Sequence, residues 1–282
     1  MIDTNTSLFC LIGNPVAHSL SPTMHNQAFA AVGYNGVYLA FRVLDPAAAI
    51  KGIKALDVKG VSVTVPHKIA VMEYLDDVEE TAARIGAVNT IVHDKGKLTG
   101  YNTDWSGALQ ALRTRTSIAG KSVGLIGAGG AARAIGFGLK SAGGRLTILN
   151  RTRTTGEQLA ADLQVDFLPP EACQQNRYDV LINTTPVGMH PDTAATPIAN
   201  TELSPQMVVM DIVYNPLETR FLMEAAAIGC QTINGVDMFV FQGAQQFELW
   251  TGRKAPLEVM RRAVLEALAS YVLGVGCQAS SP

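Results

Sequence analysis

Short apolar runs alternate with amphipathic stretches along almost the whole chain. "LFCLIG" (8–13) is a continuous apolar run closed by glycine, the pattern of a strand buried on both faces. "SPTMHNQAFAAVG" follows with helical spacing. Ser21 can cap it, Pro22 suits its first position and Gly33 its end. "GVYLAFRV" (36–43) predicts a second strand, and "DPAAAIKGIKAL" a helix that starts at Asp45 and Pro46. "GVSVTV" (60–65) alternates in period two until Pro66 stops it, and a helix is expected over about 67–84. "GAVNTIVHDKGKLTGYNTD" predicts a hairpin turning near Asp94 to Gly96, and "TDWSGALQALRT" a helix capped by Thr103 or Asp104.

The texture changes near Ile118. "AGKSVGLIGAGGAARAIGFGLKSAGG" predicts a strand, a glycine turn and a helix of small residues, and "RLTILN" the next strand. "TTGEQLAADL" is a predicted helix, "YDVLINTT" (178–185) and "QMVVMDIVY" (206–214) are strands, and "PLETRFLMEAAAIG" is a helix. Such alternation argues for a parallel, doubly wound sheet. "VDMFVFQGAQQFELWTG" and "APLEVMRRAVLEALASYV" close the chain as two helices, and "GCQASSP" is expected to be a loose tail. The fold expected is α/β with two domains: 1–107 completed by 236–282, and a Rossmann-type unit over 108–235. The cleft between them is where a substrate and a cofactor would meet.

Composition adds exclusions. The chain has 282 residues, 48% hydrophobic, with a formal net charge of -2, so no global field calls for nucleic acid and any anion site must be local. No apolar run is long enough for a membrane helix, and "MIDTNTSLFCLIG" does not read as a signal peptide. Cys10, Cys173, Cys230 and Cys277 are scattered and are expected to be reduced thiols in the cytoplasm. The histidines His18, His25, His67, His93 and His190 have no zinc-type spacing, so no metal is expected.

Gly127, Gly129 and Ala132 match G-x-G-x-x-A between a strand and a helix. The first glycine permits the tight turn, the second lets backbone approach a pyrophosphate, and the alanine lets helix and strand lie close. The turn residues Gly127, Ala128, Gly129, Gly130 and Ala131 would then face an anion with their amides. An acidic residue about 20 positions on would meet a free ribose 2′-hydroxyl. This chain has Asn150, Arg151, Thr152 and Arg153 there instead. Arginines bond phosphate, so NADP(H) is favoured over NAD(H); a solvated loop with two surface arginines is the alternative.

"SVTVPHK" places Thr64 and Lys68 at and just past a strand end, and "GYNTDWSG" places Asn102 and Asp104 between a hairpin and a helix. A lysine and a carboxylate on a cleft rim could share protons with a substrate hydroxyl. The residues alone equally allow a solvated lysine and an ordinary helix cap.

The motifs "GNPVAHSLSPTMHNQAF", "GVSVTVPHK", "IGAVNTI", "GYNTDWSG", "GAGGAARA", "NRT", "INTTPVGM", "DIVYNPLETRFL" and "NGVDMFVFQGAQQF" resemble the shikimate dehydrogenase family nearly end to end. The resemblance implies NADPH-dependent reduction of 3-dehydroshikimate to shikimate, a step towards chorismate and the aromatic amino acids. It implies that Ser19 and Ser21 bind the substrate carboxylate, and that Thr64, Asn89 and Asp104 hold ring hydroxyls. Lys68 would be the acid/base group, paired with Asp104, and Gln242 would reach the substrate from a C-terminal helix. Tyr214 and Gly235 would lie near nicotinamide and substrate. Tyr38 is a weaker candidate, since a strand tyrosine is usually packing. Asn183 and Thr184 would line the cofactor crevice at a strand's carboxyl end. The chain departs from the family at one point: the motif N-R-T-x-x-R ends here in Thr155, while Arg153 lies two positions earlier. A monomer or homodimer is expected. The alternatives are a quinate/shikimate dehydrogenase using NAD(H), and a non-catalytic NADP-sensing protein. A folate-type dehydrogenase has no support from "SLSP" or "NRT".

Overall fold

The computed structural model of the chain describes residues 2–175 and 177–272. Cys277 and the tail "GCQASSP" lie outside the described residues. The apolar run at the start forms β1 (Ser7–Gly13), which is followed by α1 (Ser21–Ala31), β2 (Gly36–Arg42), α2 (Pro46–Ala55) and β3 (Gly60–Val63). Then come β4 (Asp77–Val78), α3 (Glu80–Ile85), β5 (Thr90–Asp94), β6 (Lys97–Tyr101) and α4 (Asp104–Arg113). The first six strands make one sheet in the order β2-β1-β3-β5-β6-β4. It is mixed: β1 runs parallel to β2 and β3, while the β5–β6 hairpin joins β3 antiparallel. Lys95 and Gly96, both at positive φ, form the predicted hairpin turn.

The second half contains β7 (Ser122–Ile126), α5 (Gly130–Ser141), β8 (Arg145–Leu149), α6 (Arg153–Leu163) and β9 (Asp166–Leu168). It continues with β10 (Val180–Asn183), β11 (Val208–Asp211), α7 (Arg220–Ile228) and β12 (Gln231–Ile233). These six strands are all parallel, in the order β12-β11-β10-β7-β8-β9. The chain winds outward from β7 in one direction, returns, and winds outward from β10 in the other, which is the doubly wound topology with its switch point between β7 and β10. Finally α8 (Gly235–Thr251) and α9 (Leu257–Val272) leave this sheet and pack on α1 and β1.

Burial explains the patterning. Phe9 and Leu11 of β1 face α1, α8 and α9, in a core with Met24, Phe29, Phe247 and Trp250. Cys10 and Ile12 face the opposite side, where Ile50, Ile53, Val61 and Val63 lie. A strand covered on both faces needs apolar residues at every position, hence the unbroken run. In the second sheet Val123, Leu125, Ile148 and Ile182 pack under α4, α5 and α6, while Ile126, Leu149, Leu181 and Val209 meet Phe221 and Leu222 of α7. Cys10, Cys173 and Cys230 are buried free thiols, and burial pushes the pKa of the Cys173 thiol up to about 11.

Several expected boundaries are corrected. The helix expected over 67–84 is a 3₁₀ turn at Ala70–Tyr74, then β4, then α3. The cause is Asp76, whose carboxylate accepts from the Leu98 amide at 2.7 Å and from Lys54 at 2.9 Å, pinning the chain to β6. Glu79 then caps α3, accepting from the amides of Thr81 and Ala82. Asp45 caps α2 as expected, through the amides of Ala47 and Ala48. Ser21 does not cap α1: it is the first helical residue, and its own amide donates to Ser19 Oγ at 3.3 Å. Neither Thr103 nor Asp104 caps α4 with its side chain, because both side chains serve other partners. The helix predicted from Pro216 begins at Arg220, capped by Thr219.

Helix α4 joins the two halves through close backbone approach. A Cβ on Gly107 would stand 2.9 Å from both Cβ and N of Gln242 in α8, and one on Gly138 of α5 would stand 3.2 Å from the Trp105 carbonyl. Gly107→Ala is therefore expected to destabilise the fold by about 1–3 kcal/mol, the usual cost of overpacking. Denaturant unfolding checks it; an unchanged midpoint would mean that α4 and α8 separate freely.

Candidate active site

Neighbouring parallel strands end on the same edge of a sheet, so β1 and β3 deliver the segments after Gly13 and Val63 to one place. The first carries Ser19 and Ser21, whose hydroxyls lie 3.2 Å apart, and the second carries Thr64 and Lys68. The main chain ties the second segment to the start of β5: the Val88 amide donates to the Lys68 carbonyl at 2.8 Å, and the Val63 amide to the Asn89 carbonyl at 2.8 Å. Asn102 fixes the turn from β6 into α4, donating to the Ala87 carbonyl and accepting from the Asp104 amide. It is thus a buried structural residue of the site's wall.

These constraints bring Lys68 and Asp104 together. Lys68 Nζ donates to Asp104 Oδ2 at 2.5 Å, with side chains 13% and 7% exposed. Asn89 Nδ2 donates to the other carboxylate oxygen at 2.8 Å and to Thr103 Oγ1 at 3.0 Å. Gln242 Oε1 lies 3.4 Å from the same amide, and its Nε2 donates to the Phe239 carbonyl. Both oxygens of Asp104 are therefore held by donors, and Lys68 Nζ keeps protons to offer elsewhere. Tyr214 packs on Phe239, with ring centroids 4.6 Å apart. Gly235 opens α8 where a Cβ would meet the carbonyls of Ile212 and Val213 at 2.4 and 2.5 Å, so only glycine fits.

The second sheet contributes a phosphate-type cradle beside the lysine. Gly127 has φ +118, and a Cβ there would lie 2.5 Å from Thr184 Oγ1, which donates to the Ile126 carbonyl. Gly129 is exposed, with open space where a Cβ would be, and α5 has neither a side-chain cap nor a carboxylate in its first turn. Its first amides are thus free for an anion. A Cβ on Gly130 would touch Lys68 Cδ at 3.4 Å, so the lysine stem runs across the mouth of this turn. The donor set fits a dinucleotide pyrophosphate.

At the end of β8, Asn150 Nδ2 donates to the Thr152 carbonyl and to Thr155 Oγ1, so the residue at the departing position of the motif braces the loop. Arg153 starts α6 and pairs with Glu157 at 2.8 Å. Arg151 is exposed, and among the described residues it has no ion pair.

Two candidates change character. Asn183 is fully buried and spends its side chain on Asp211, Thr185 and Val187, so it shapes the loop instead of facing the crevice. Burial pushes the pKa of Asp211 up to about 6, against hydrogen bonds from Val213, Thr219 and Asn183 that favour its charged form. Tyr38 is buried, donating to Ser62 Oγ at 2.6 Å, which is the packing alternative. Sequence reasoning missed Thr90, Thr103 and Gln246, all buried polar residues behind Asn89. For Gln246 a signal existed: it follows Gln242 by four residues, on the same helix face.

Among the described residues no helix is long and apolar enough to cross a membrane. A profile described as the shikimate dehydrogenase substrate binding domain matches residues 11–91, and one described as the shikimate 5'-dehydrogenase C-terminal domain matches 235–265. The chain is 48% identical to a shikimate dehydrogenase (NADP(+)) of Moorella thermoacetica, over 95% of this chain and 96% of that one. It superposes on a shikimate dehydrogenase solved in complex with NADP+ with a TM-score of 0.92 at 42% identity, covering 95% of this chain and 98% of the other. A shikimate 5-dehydrogenase of Thermus thermophilus, solved with NADP(H) and shikimate, gives a TM-score of 0.86 at 37% identity over 93% and 99%.

Proposed function

This chain belongs to the shikimate dehydrogenase family, and from that premise we propose that Lys68 and Asp104 are its acid–base pair. The reaction is the reversible, NADP-linked interconversion of 3-dehydroshikimate and shikimate, an oxidoreductase step of aromatic biosynthesis. The observation that carries the reading is one lysine that bonds Asp104 at 2.5 Å while its stem lies against Gly130 of the glycine turn.

A nicotinamide held at this turn would supply the hydride for the ring carbon. Lys68 Nζ, as an ammonium, polarises the ketone oxygen and gives it a proton; in the reverse direction it takes the hydroxyl proton. Asp104 Oδ2 keeps Nζ aimed, and Asn89 keeps Asp104 aimed. Ser19 and Ser21 would bind the carboxylate, with Thr64, Asn89, Gln242 and Tyr214 around the ring and Gly235 at its border. Gly127, Ala128, Gly129, Gly130 and Ala131 would hold the pyrophosphate, and Thr184 would back that turn. Asn150, Arg151 and Thr152 would surround the 2′-phosphate, with Arg151 as its partner because Arg153 is engaged by Glu157.

The core supports a substrate domain of 1–107 with 236–282 and a cofactor domain of 108–235, since α8 and α9 bury their apolar faces against α1 and β1. Three buried thiols fit a reducing compartment, the cytoplasm.

Incubating the purified chain with shikimate and either nicotinamide, and following absorbance of the reduced cofactor, tests the function: rapid reduction of NADP is expected, and none would refute it. Arg151→Ala is expected to lower kcat/KM for NADP by about 10–100-fold, the scale of a lost charge-assisted hydrogen bond, and to leave NAD unaffected. An unchanged NADP/NAD ratio removes Arg151 from phosphate recognition.

A further inference from the structure

Behind Asn89 runs a chain of hydrogen bonds that all point one way. Tyr38 donates its hydroxyl to Ser62 Oγ (2.6 Å), and Ser62 donates to Gln246 Oε1 (2.8 Å). Gln246 Nε2 donates to Thr90 Oγ1 (2.9 Å), Thr90 donates to Asn89 Oδ1 (2.7 Å), and Asn89 Nδ2 donates to Asp104 Oδ1 (2.8 Å). The path crosses four elements, β2, β3, α8 and β5, and ends on the carboxylate that holds Lys68. All its side chains are buried. The titratable groups along it are Tyr38, with neutral His25 stacked on it at 4.6 Å, at one end, and Asp104 with Lys68 at the other.

Gln246 bridges the two hydroxyls with separate atoms of one carboxamide, Oε1 accepting from Ser62 and Nε2 donating to Thr90, so an apolar side chain of the same length breaks the path. It also grips Asn89 a second time, donating to its main-chain carbonyl at 3.2 Å. Asn89 is thus held from both ends, with the Thr103 amide (2.8 Å) sharing its side-chain oxygen. An Asn89 so fixed presents one N–H to Asp104 Oδ1 and the other to Thr103 Oγ1, and aligned donors strengthen one another in a buried path.

We propose that Gln246 is a positioning residue for the Lys68–Asp104 pair, acting through Thr90 and Asn89. This rests on the acid–base reading given above. It assigns to the inner side of α8 a part in turnover distinct from substrate contact, which belongs to Gln242 one turn earlier.

The test is kinetic. Gln246→Met keeps length and volume but ends the path. It is expected to lower kcat by about tenfold, the scale of one lost hydrogen bond, with KM for NADP unchanged. Thr90→Val should cost the same, and Thr90→Ser, which keeps the hydroxyl, should restore most of the rate. In the double variant Gln246→Met/Thr90→Val the loss should not exceed the larger single loss, because both break one path. Multiplying losses, or a lowered unfolding midpoint with parental kcat, would overturn the proposal and leave Gln246 as core packing. The two readings separate cleanly. Turnover by Lys68→Ala sinks the acid–base assignment itself, whereas an inactive Lys68→Ala beside a fully active Gln246→Met sinks only the positioning role.

Discussion

Lys68→Ala is expected to lower kcat by about 10³-fold while changing KM for shikimate by less than about tenfold, the range of a lost general acid–base group. The lysine is 13% exposed, and its ammonium lies on a carboxylate 36 residues away in sequence, an arrangement that holds Nζ in one place. Removing it leaves the serine pair and the glycine turn intact, so ground-state binding survives while proton transfer does not. Lys68→Arg separates charge from proton transfer. Arginine keeps the positive charge but does not release a proton, so it should rescue stability and not rate. Steady-state rates in both directions, with an unfolding curve for each variant, check this. Turnover near the parental rate in either variant would remove Lys68 from the chemistry.

Asp104→Ala should damage binding and turnover together. It strips the acceptor from Lys68 Nζ and from Asn89 Nδ2 at once, in a pocket where the aspartate is 5% exposed. A buried ion pair broken on one side costs about 3–5 kcal/mol, so the unfolding midpoint should fall as well. With both the lysine and Asn89 released, kcat/KM should drop by about 10³-fold or more, with KM for shikimate raised. Asp104→Asn, which keeps the volume and one acceptor, should recover part of the stability and little of the rate. If Asp104→Ala alters only the unfolding midpoint, the carboxylate is a structural partner and the mechanism needs another orienting group.

The glycine turn was legible because strand, turn and helix are contiguous, so local spacing carries the whole motif. The same holds for Asp45 as a cap and for Lys95–Gly96 as a hairpin turn. The Lys68–Asp104 pair was not legible from spacing, since it exists only because β3, β5 and β6 lie side by side. Asp104 has the sequence signature of a cap, and a tertiary partner outcompetes that local use. The segment 67–84 failed for a similar reason: Asp76 and the short β4 draw their backbone partners from β6, which no periodicity within the segment reveals. Asn150 illustrates the reverse. Expected as the last residue of the strand, it lies one residue past β8, and its bond to Thr155 gives physical meaning to the one position where the family motif is broken.

The return of α8 and α9 to the first sheet sets an order on synthesis. The apolar face made by Phe9, Leu11, Met24 and Phe29 leaves the ribosome early, and its cover, Phe247, Trp250, Met260 and Val264, comes only after the entire second sheet. At about 5–20 residues per second, that face waits roughly 10 to 45 seconds without its partners. The second sheet, contiguous in the chain, can close first. During synthesis the second sheet can therefore be complete while the apolar face of the first sheet still stands uncovered, a stage open to misassembly and aggregation.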